Sequence, residues 1–255
     1  MLSIENLSYS IDNKIILENI SQTFEAGKIN LIIGPNGAGK STLIKLISGQ
    51  LKSKTGTIHY TGNANPSVQE LAKTRAVLSQ NIDLSFPLKV SEIVMMGRYP
   101  HFESVPSKKD KIACEDAMSF FDILKFSDRN FMTLSGGEKQ RVHFARVLSQ
   151  IWYSTNTDQR YLIMDEPLTF LDVHYQYDFM YKIVELAKQK DLIIIGVLHD
   201  LNLTAKFADK IILINEGKIL ASGDKKEVLT TENILKAYQL TPIIHQIEGS
   251  FFLTF

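Results

Sequence analysis

The sequence predicts an α/β protein with three parts: a core built on a mostly parallel sheet, a flanking antiparallel β-subdomain and an inserted α-helical subdomain. Three patterns predict this fold. Short apolar runs alternate with helical segments after residue 160, as in parallel sheets that are buried on both faces. Period-two alternation joined by tight turns fills residues 1–30. Between residues 83 and 149 the pattern becomes mainly helical.

The N-terminal half provides the first elements of this fold. Residues 2–4 and 7–11 alternate as strands do, and Asp12 with Asn13 suits a hairpin turn into a strand over residues 14–24. The apolar run 29–33 predicts a buried strand, and residues 43–47 carry apolar side chains at helical spacing. Two further strands are predicted over residues 57–62 and 75–80.

The second half predicts the helical insert and then a return to the core. Helices are expected over residues 90–96, 108–124 and 138–148, then a strand at 161–164, a helix at 176–188, and strands at 192–198, 211–214 and 219–221. We therefore predict one domain, residues 1–255. Residues 1–82 and 150–255 would form the core with the antiparallel β-subdomain, and residues 83–149 would form the helical subdomain.

Composition limits the class of protein and its compartment. Among 255 residues, Lys and Arg number 28 and Asp and Glu number 28, so there is no basic excess of the kind that nucleic-acid binding favours. Cys114 is the single cysteine, which fits a reducing compartment. Residues 1–5 do not start a signal peptide, and the longest apolar run, 192–198, is far shorter than the roughly 20 residues of a membrane span. We expect a cytoplasmic protein that meets a membrane only through a partner.

Residues 34–42 match the phosphate-loop pattern G-x-x-x-x-G-K-S/T at every specified position. A strand precedes this stretch and a helix follows it, so backbone N–H groups and the helix N-terminus can hold an anion. We expect Lys40 to reach the β- and γ-phosphates and the Ser41 hydroxyl to bind Mg²⁺. A chance glycine-rich turn is disfavoured by the full match. The predicted nucleotide-binding residues are Gly34, Pro35, Asn36, Gly37, Ala38, Gly39, Lys40, Ser41 and Thr42.

Two carboxylates, Asp165 and Glu166, follow the predicted strand at 161–164. Residues at the carboxyl end of a parallel strand face the ligand crevice. Beside a phosphate loop, Asp165 is expected to hold Mg²⁺ and Glu166 to polarise the attacking water. The alternative is a helix N-cap followed by a first-turn glutamate, which explains the pair but not the phosphate loop.

His199 closes the next core strand, and Asp200 follows it. A packing or capping histidine is the simpler explanation for one residue alone. In a chain that already has a phosphate loop and a carboxylate pair, a contact with the γ-phosphate is the better interpretation. The other histidines lack metal-ligand spacing and are read as ordinary: His59, His101, His143, His174 and His245.

Residues 134–141 predict a helix start with an unusual composition. Ser135 can cap the helix and Glu138 completes a capping box. Gly136 and Gly137 each weaken a helix by about 1 kcal/mol relative to Ala. That cost is understandable where a phosphate approaches bare backbone N–H groups. The stretch therefore predicts a second anion site.

With this stretch the chain resembles the ATP-binding-cassette family, whose LSGGQ-type signature it matches with Glu138 in the last place. The resemblance covers essentially the whole chain. It implies a head-to-tail dimer in which each ATP lies between the phosphate loop of one copy and Ser135, Gly136, Gly137 and Glu138 of the other. This arrangement would account for the second anion site.

The resemblance also assigns three residues outside these motifs. Gln80 matches the glutamine that contacts Mg²⁺ and senses the transmembrane partner. Asp172 matches the aspartate of the dimer-contacting D-loop, and His199 matches the switch histidine. The implied catalytic set is Glu166, His199, Lys40 and Gln80, the metal set is Ser41, Gln80 and Asp165, and the cofactors are ATP and Mg²⁺.

The chain departs from the family pattern at two places. The adenine-stacking aromatic would fall near Ile11, which is not aromatic, although Tyr9 is close in sequence. The D-loop region reads Leu168, Thr169, Phe170 where Thr-Ser-Ala is more usual. Adenine recognition and the dimer contact at this loop are therefore the least defined parts of the predicted site.

The chain resembles transporter cassettes more than other members of the family. A chromosome-maintenance protein would need a long heptad insertion and a translation-type protein would carry two cassettes. Residues 71–80 and 86–98 resemble importers for iron chelates, haem and cobalamin, and residues 74–77 with 147–152 most resemble haem importers. This implies a subunit on the cytoplasmic face of the inner membrane, with a permease dimer bound at residues 86–99 and a substrate-binding protein acting indirectly.

Several alternatives remain at this point. The apolar docking surface would comprise Phe86, Pro87, Met95, Met96 and Tyr99, each of which could equally pack the helical subdomain. The cargo could be an iron siderophore or cobalamin instead of haem. In a different class, the chain would be a soluble cassette that uses ATP as a dimerisation switch. The neutral net charge and the apolar segment favour the transporter.

Overall fold

A computed structural model describes residues 1–61, 66–79, 87–154, 159–169, 171–247 and 250–255. The strands and helices follow in chain order. They are β1 (Leu2–Ile11), β2 (Lys14–Phe24), β3 (Ile29–Ile33), α1 (Lys40–Ile47), β4 (Thr55–Tyr60), α2 (Val68–Thr74), β5 (Arg75–Leu78), α3 (Val90–Met96), α4 (Lys108–Phe120), α5 (Gly136–Gln150), β6 (Tyr161–Asp165), α6 (Val173–Lys190), β7 (Ile193–Val197), α7 (Leu201–Phe207), β8 (Lys210–Asn215), β9 (Lys218–Gly223), α8 (Lys225–Val228), α9 (Thr231–Tyr238), β10 (Ile243–Ile247) and β11 (Ser250–Thr254).

The central sheet has the strand order β5-β6-β7-β3-β8-β9. Its pairs are parallel except for the β8–β9 hairpin. Strand β3 is buried along its whole length between β7 and β8, which explains its unbroken apolar sequence. Because β3, β6 and β7 run in the same direction, the residues that follow them emerge at one edge of the sheet. The phosphate loop follows β3, Asp165 ends β6 with Glu166 directly after it, and His199 lies two residues beyond β7.

A separate antiparallel sheet with the order β2-β1-β4 flanks this core. Its buried side chains, among them Leu2, Leu7 and Leu17, pack in one cluster with α1 and with one face of the central sheet. The predicted turn at Asp12 lies in the left-handed region, with φ of 52°. The antiparallel β-subdomain is therefore confirmed, and it packs against α1, the helix that begins at the phosphate loop.

Helices α3, α4 and α5 pack against one another and against the other face of the sheet. One hydrophobic cluster joins Val94, Ala117 and Leu148 of these helices to Leu31 and Ile194 of the sheet. The mixed, mostly parallel α/β fold is confirmed. The finer division into residues 1–82 plus 150–255 and an inserted 83–149 stays a prediction.

Several predicted bounds shift for local reasons. The predicted helix at 108–124 ends at Phe120, because Asp122 takes a left-handed conformation with φ of 57°. Helix α5 begins two residues before the predicted start, since Ser135 is the capping residue. The strand predicted over 75–80 ends at Leu78, and Gln80 lies outside the described residues.

The sequence analysis missed α2, α7 and all of the elements after β9. Helix α2 carries a complete capping box between Ser67 and Glu70, which is a readable signal. The short hairpin β10–β11 has a weaker sequence pattern, and its position in the fold depends on contacts with α7. None of the helices in the described part of the chain is long and apolar enough to cross a membrane.

Candidate nucleotide-binding site

The phosphate loop joins β3 to α1 and closely approaches its neighbours. A Cβ atom at Gly34, where φ is 151°, would collide with the carbonyl oxygen of Ile214. A Cβ atom at Gly39, where φ is 102°, would lie 2.9 Å from the carbonyl oxygen of Ile16. Both positions therefore need glycine, and the loop can present bare backbone to an anion.

Lys40 begins α1, and its ammonium turns back over the loop. Its Nζ donates hydrogen bonds to the carbonyl oxygens of Gly34 at 2.8 Å and Pro35 at 2.9 Å. Burial lowers the pKa of Lys40, while the charges of Glu166 and Asp165 act in the opposite direction. The positive charge is thus held at the centre of the predicted phosphate site, with both carboxylates close enough to influence it.

Ser41 and Asp165 meet beside the loop, where the Ser41 Oγ donates to Asp165 Oδ1 at 3.4 Å. Burial raises the pKa of Asp165, and the neighbouring Glu166 charge raises it further. A hydroxyl oxygen and a carboxylate oxygen are ligands that Mg²⁺ prefers. These donors fit the predicted metal, because a cation would offset the crowding of negative charge.

Glu166 and His199 form the shortest polar contact of the site, with 2.6 Å between Oε1 and Nε2. Glu166 takes a left-handed backbone conformation with φ of 51°, and the Thr169 hydroxyl donates to its carbonyl oxygen at 3.0 Å. The glutamate side chain is mostly covered, whereas 47 % of the histidine side chain is exposed. His199 thus contacts the Glu166 carboxylate, and its contact with a γ-phosphate stays a prediction.

Asp200 fixes the segment after His199 by capping α7. Its Oδ1 accepts from the backbone N–H groups of Asn202 at 2.7 Å and Leu203 at 2.9 Å. The sequence analysis gave no role to the next contact. The Asn202 side chain donates to the Leu253 carbonyl at 3.1 Å and accepts from the Leu253 N–H at 2.8 Å. Strand β11 is therefore held on the helix that follows His199.

Tyr238 is a second residue that sequence reasoning missed. Burial raises the pKa of its hydroxyl to about 12, and the backbone N–H of Gly34 opposes this shift through a hydrogen bond. The hydroxyl therefore lies against the first glycine of the phosphate loop. Tyr238 has no motif around it, so only the fold could reveal this contact.

The signature residues lie at the start of α5. Ser135 and Glu138 form the predicted capping box, with the Ser135 N–H donating to Glu138 Oε2 at 2.8 Å. The space around Gly136 is open to 4 Å, and the Tyr175 ring lies 3.4 Å from the Cβ position of Gly137. Asp172 caps α6 by accepting from the Tyr175 N–H at 3.1 Å. Asp172 and the signature residues are thus linked through Tyr175.

The exposed hydrophobic side chains at the β1–β2 turn, where the resemblance places the base-stacking aromatic, are aliphatic. Ile11 is 52 % exposed and Ile15 is 61 % exposed at the two ends of the β1–β2 turn. Tyr9 packs at the margin of the β-subdomain core. Phe170 of the predicted D-loop lies outside the described residues. In the part of the chain that the structure describes, no cluster of His, Cys, Asp and Glu could hold a metal ion by itself.

A phosphate loop on a buried parallel strand, with a carboxylate pair at the same sheet edge, defines a nucleotide-binding P-loop protein. Residues 17–169 match the family described as ABC transporter. The chain belongs to the ABC transporter family, and it is an ATP-binding ATPase of that family.

Two relatives show how far this similarity extends. The hemin import ATP-binding protein HmuV of Escherichia coli O157:H7 is 38 % identical over 240 residues, which cover 93 % of this chain and 92 % of that protein. HmuV of Agrobacterium fabrum is 36 % identical over 250 residues, which cover 97 % of this chain and 94 % of that protein. Both similarities therefore span nearly the full length.

Solved structures agree with this fold. An inward-facing structure described as being of the metal-chelate type of ABC transporter superposes with a TM-score of 0.82 at 25 % identity, covering 99 % of this chain and 95 % of that one. The cbiO1 structure from Clostridium perfringens, part of the transporter complex cbiONQ, gives a TM-score of 0.78 at 26 % identity, with 92 % of each chain covered.

Proposed function

We propose that this chain is the ATP-hydrolysing subunit of an importer and that it powers the uptake of haem through a transmembrane permease. The contact between Glu166 and His199 is the main support for ATP hydrolysis. It holds the Glu166 carboxylate, the proposed base, at the edge of the sheet beside Lys40 and Asp165. The names of the relatives support haem as the cargo. An iron siderophore or cobalamin is the alternative cargo for the same machinery.

The residues at the sheet edge have different proposed roles in binding and hydrolysing ATP. The backbone of residues 34–42 and the Lys40 ammonium bind the phosphates, once Nζ exchanges the loop carbonyls for phosphate oxygens. Ser41, Asp165 and Gln80 would hold Mg²⁺, which neutralises charge on the β- and γ-phosphates when bound. Glu166 orients and polarises the attacking water, and His199 holds the Glu166 carboxylate in place.

A second copy of the chain completes the site in this proposal. Ser135, Gly136, Gly137 and Glu138 of one copy would cover the nucleotide held by the other, with Asp172 at the contact between them. The open space around Gly136 supports close approach of a phosphate to the start of α5. ATP would favour the closed pair and ADP the open pair, so hydrolysis resets the assembly.

The permease would bind in a groove on the helical subdomain. This docking groove has a volume of about 930 Å³. Its lining includes the hydrophobic residues Leu88, Met95, Met96, Tyr99 and Phe102 and the charged residues Glu92, Lys111, Glu115 and Asp128. Methionine and aromatic side chains suit an apolar face of a partner helix. Phe86 lies outside the described residues, and Pro87 is exposed. The chain would therefore sit on the cytoplasmic face of the membrane without entering it.

The decisive experiment measures ATP hydrolysis by this chain, co-assembled in lipid with a transmembrane permease from the same organism. The substrate-binding protein is added either with haem or with an iron siderophore. Stimulation by the haem-loaded protein alone supports the proposed cargo. Stimulation by the siderophore-loaded protein keeps the mechanism and changes the cargo. Failure to assemble with any permease contradicts the transporter proposal and favours the soluble ATP-gated switch.

A further inference from the structure

Helix α3 lies between the docking groove and the C-terminal end of α5. Met95 and Met96 near its end line the groove. On its other side the Ser149 hydroxyl, near the end of α5, donates to the Val94 carbonyl at 3.0 Å. The signature residues are at the opposite end of the same helix, which spans 15 residues, or about 22 Å. One helix therefore separates the groove from the second anion site.

Gly97 brings α3 into direct contact with α5. A Cβ atom at this position would collide with the carbonyl oxygen of Arg146 and the hydroxyl of Ser149. The backbone conformation of Gly97 is an ordinary right-handed one, with φ of −61°. Glycine is therefore needed here for the close approach of the two helices, not for an unusual turn.

Arg98 follows Gly97 and is 5 % exposed. Its Nη1 donates to the carbonyl oxygens of Ser149 at 2.7 Å and Gln150 at 3.2 Å, at the negative end of the α5 dipole. Its Nε donates to Asp110 Oδ1 of α4 at 2.9 Å. A single buried guanidinium thus joins the end of α3 to both α4 and α5.

Asp110 is itself fixed on both sides. Burial acts to raise its pKa, but hydrogen bonds from Ser107 and Arg98 outweigh it and the pKa of Asp110 is lowered. The Ser107 N–H and the Ser107 hydroxyl both donate to Asp110 Oδ2, at 2.9 Å and 2.6 Å. The Arg98–Asp110 ion pair is therefore buried, and both Asp110 carboxylate oxygens accept hydrogen bonds.

Gln150 extends this connection into the core of the protein. Its Nε2 donates to the carbonyl oxygens of Ala72 at 2.7 Å and Arg75 at 3.0 Å. Its own carbonyl accepts from Arg98 and contacts His101 Nε2 at 2.7 Å. The C-terminal end of α5 is thus tied to α3 on one side and to the start of β5 on the other.

We propose that Arg98 is a positioning residue that transmits a displacement of α3, caused by a partner helix in the docking groove, to α5 and its signature residues. This inference rests on the proposed permease function. The bonds to Ser149, Gln150 and Asp110 make α3 and the end of α5 move together. The start of α5, where Ser135 and Gly136 lie, then moves with the groove.

The test uses substitutions that keep the site filled. Arg98→Lys retains a charge for Asp110, but a single ammonium lacks the forked reach to the carbonyls of α5. The double variant Arg98→Gln with Asp110→Asn keeps a neutral pair and leaves no unpaired charge if the first variant fails to fold. Lys218→Met is the control, because it breaks the 3.1 Å ion pair with Glu18 at the β9–β2 contact.

Three quantities are measured for each chain: basal ATP turnover, co-purification with the permease, and stimulation of turnover by the loaded binding protein. Arg98→Lys is expected to keep the wild-type basal turnover and to co-purify with the permease. Its stimulation by the loaded binding protein is expected to fall about tenfold, the size of a typical coupling between sites. The control is expected to match the wild-type chain in all three.

Distinct results would overturn the inference. Undiminished stimulation in both Arg98 variants shows that the residue does not transmit the signal. A parallel loss of basal turnover shows a role in stability only, and an equal loss in Lys218→Met shows a general effect of disturbing an ion pair. A wild-type chain that no binding protein stimulates overturns both this inference and the proposed permease function.

Discussion

His199 Nε2 lies 2.6 Å from Glu166 Oε1, and the pairing of β6 with β7 brings the two residues together. Asp165 is in register with Val197, so each strand delivers its next residues to the same sheet edge. The histidine thereby restricts the rotation of a glutamate that already has a left-handed backbone. The orientation of the Glu166 carboxylate therefore depends on the pairing of β6 with β7.

Glu166→Gln is expected to bind ATP and to lose turnover by about 10²–10⁴-fold, the range for loss of a general base. The amide keeps the shape of the side chain but cannot polarise the attacking water. Phosphate release and retained nucleotide are measured together, and size-exclusion chromatography with ATP should show a trapped dimer. Glu185→Gln on the exposed face of α6 is the control. Normal hydrolysis by the Glu166 variant would remove this residue from the reaction.

Lys40→Ala is expected to weaken ATP binding by about 10- to 100-fold, because a charge-assisted contact is worth about 1.5–3 kcal/mol. In this structure the ammonium bonds to the carbonyls of Gly34 and Pro35. Titration with a fluorescent ATP analogue measures the change, with Lys52→Ala as an exposed control. Equal affinities of the variant and the wild-type chain would contradict the assigned role.

Met96→Glu is expected to abolish transport while ATP binding remains at the wild-type level. A carboxylate in the docking groove would have to lose its water when an apolar helix binds. Vesicle uptake and nucleotide affinity are measured side by side. Leu235→Glu places the same charge on an exposed position of α9. Unchanged uptake in the Met96 variant would exclude the groove as the docking surface.

Asp165→Asn is expected to stabilise the nucleotide-free chain and to remove hydrolysis. Burial and the Glu166 charge raise the pKa of Asp165, so its ionisation disfavours the folded state. That penalty is absent below the unfolded-state pKa and complete above the raised native pKa. The gain in melting temperature should therefore grow as pH rises through the acidic range and then level off. In a chain of this size, each 1 kcal/mol of added stability corresponds to roughly 2–4 °C in melting temperature. A lower melting temperature for the variant at neutral pH would contradict this electrostatic account.

Asn202→Ala is expected to lower the free energy of unfolding by about 1–3 kcal/mol, because both backbone groups of Leu253 lose their partner. Urea denaturation measures the loss. Asn233→Ala, which removes bonds inside the turn between α8 and α9, is the matched control for a locally bonded asparagine. Equal losses in the two variants would show that the contact with β11 stabilises the fold no more than a local asparagine hydrogen bond does.

The fold was largely predictable because its buried strands carry uninterrupted apolar sequences. Strand β3 has the predicted bounds, Ile29–Ile33, and β2 has the predicted bounds, Lys14–Phe24. Motifs with fixed spacing located the phosphate loop and the signature helix. In each of these cases a local pattern determines the local structure.

Contacts across the fold were not predictable in the same way. The direction of the His199 ring depends on which strands are neighbours, and sequence spacing does not contain that order. Arg98 resembles any basic residue after a helix until α4 and α5 are placed around it. Tyr238 and Asn202 act through partners distant in sequence, Gly34 and Leu253.

The position of β3 determines when this protein can acquire its activity during synthesis. The strand that carries the phosphate loop is made early, but its neighbours in the sheet are made much later, β7 from Ile193 and β8 from Lys210. Until then Ile29–Ile33 is an unpaired apolar segment, and such segments are prone to aggregate. A nascent chain therefore cannot complete the pairing of β3, and with it the nucleotide site, before β7 and β8 have left the ribosome.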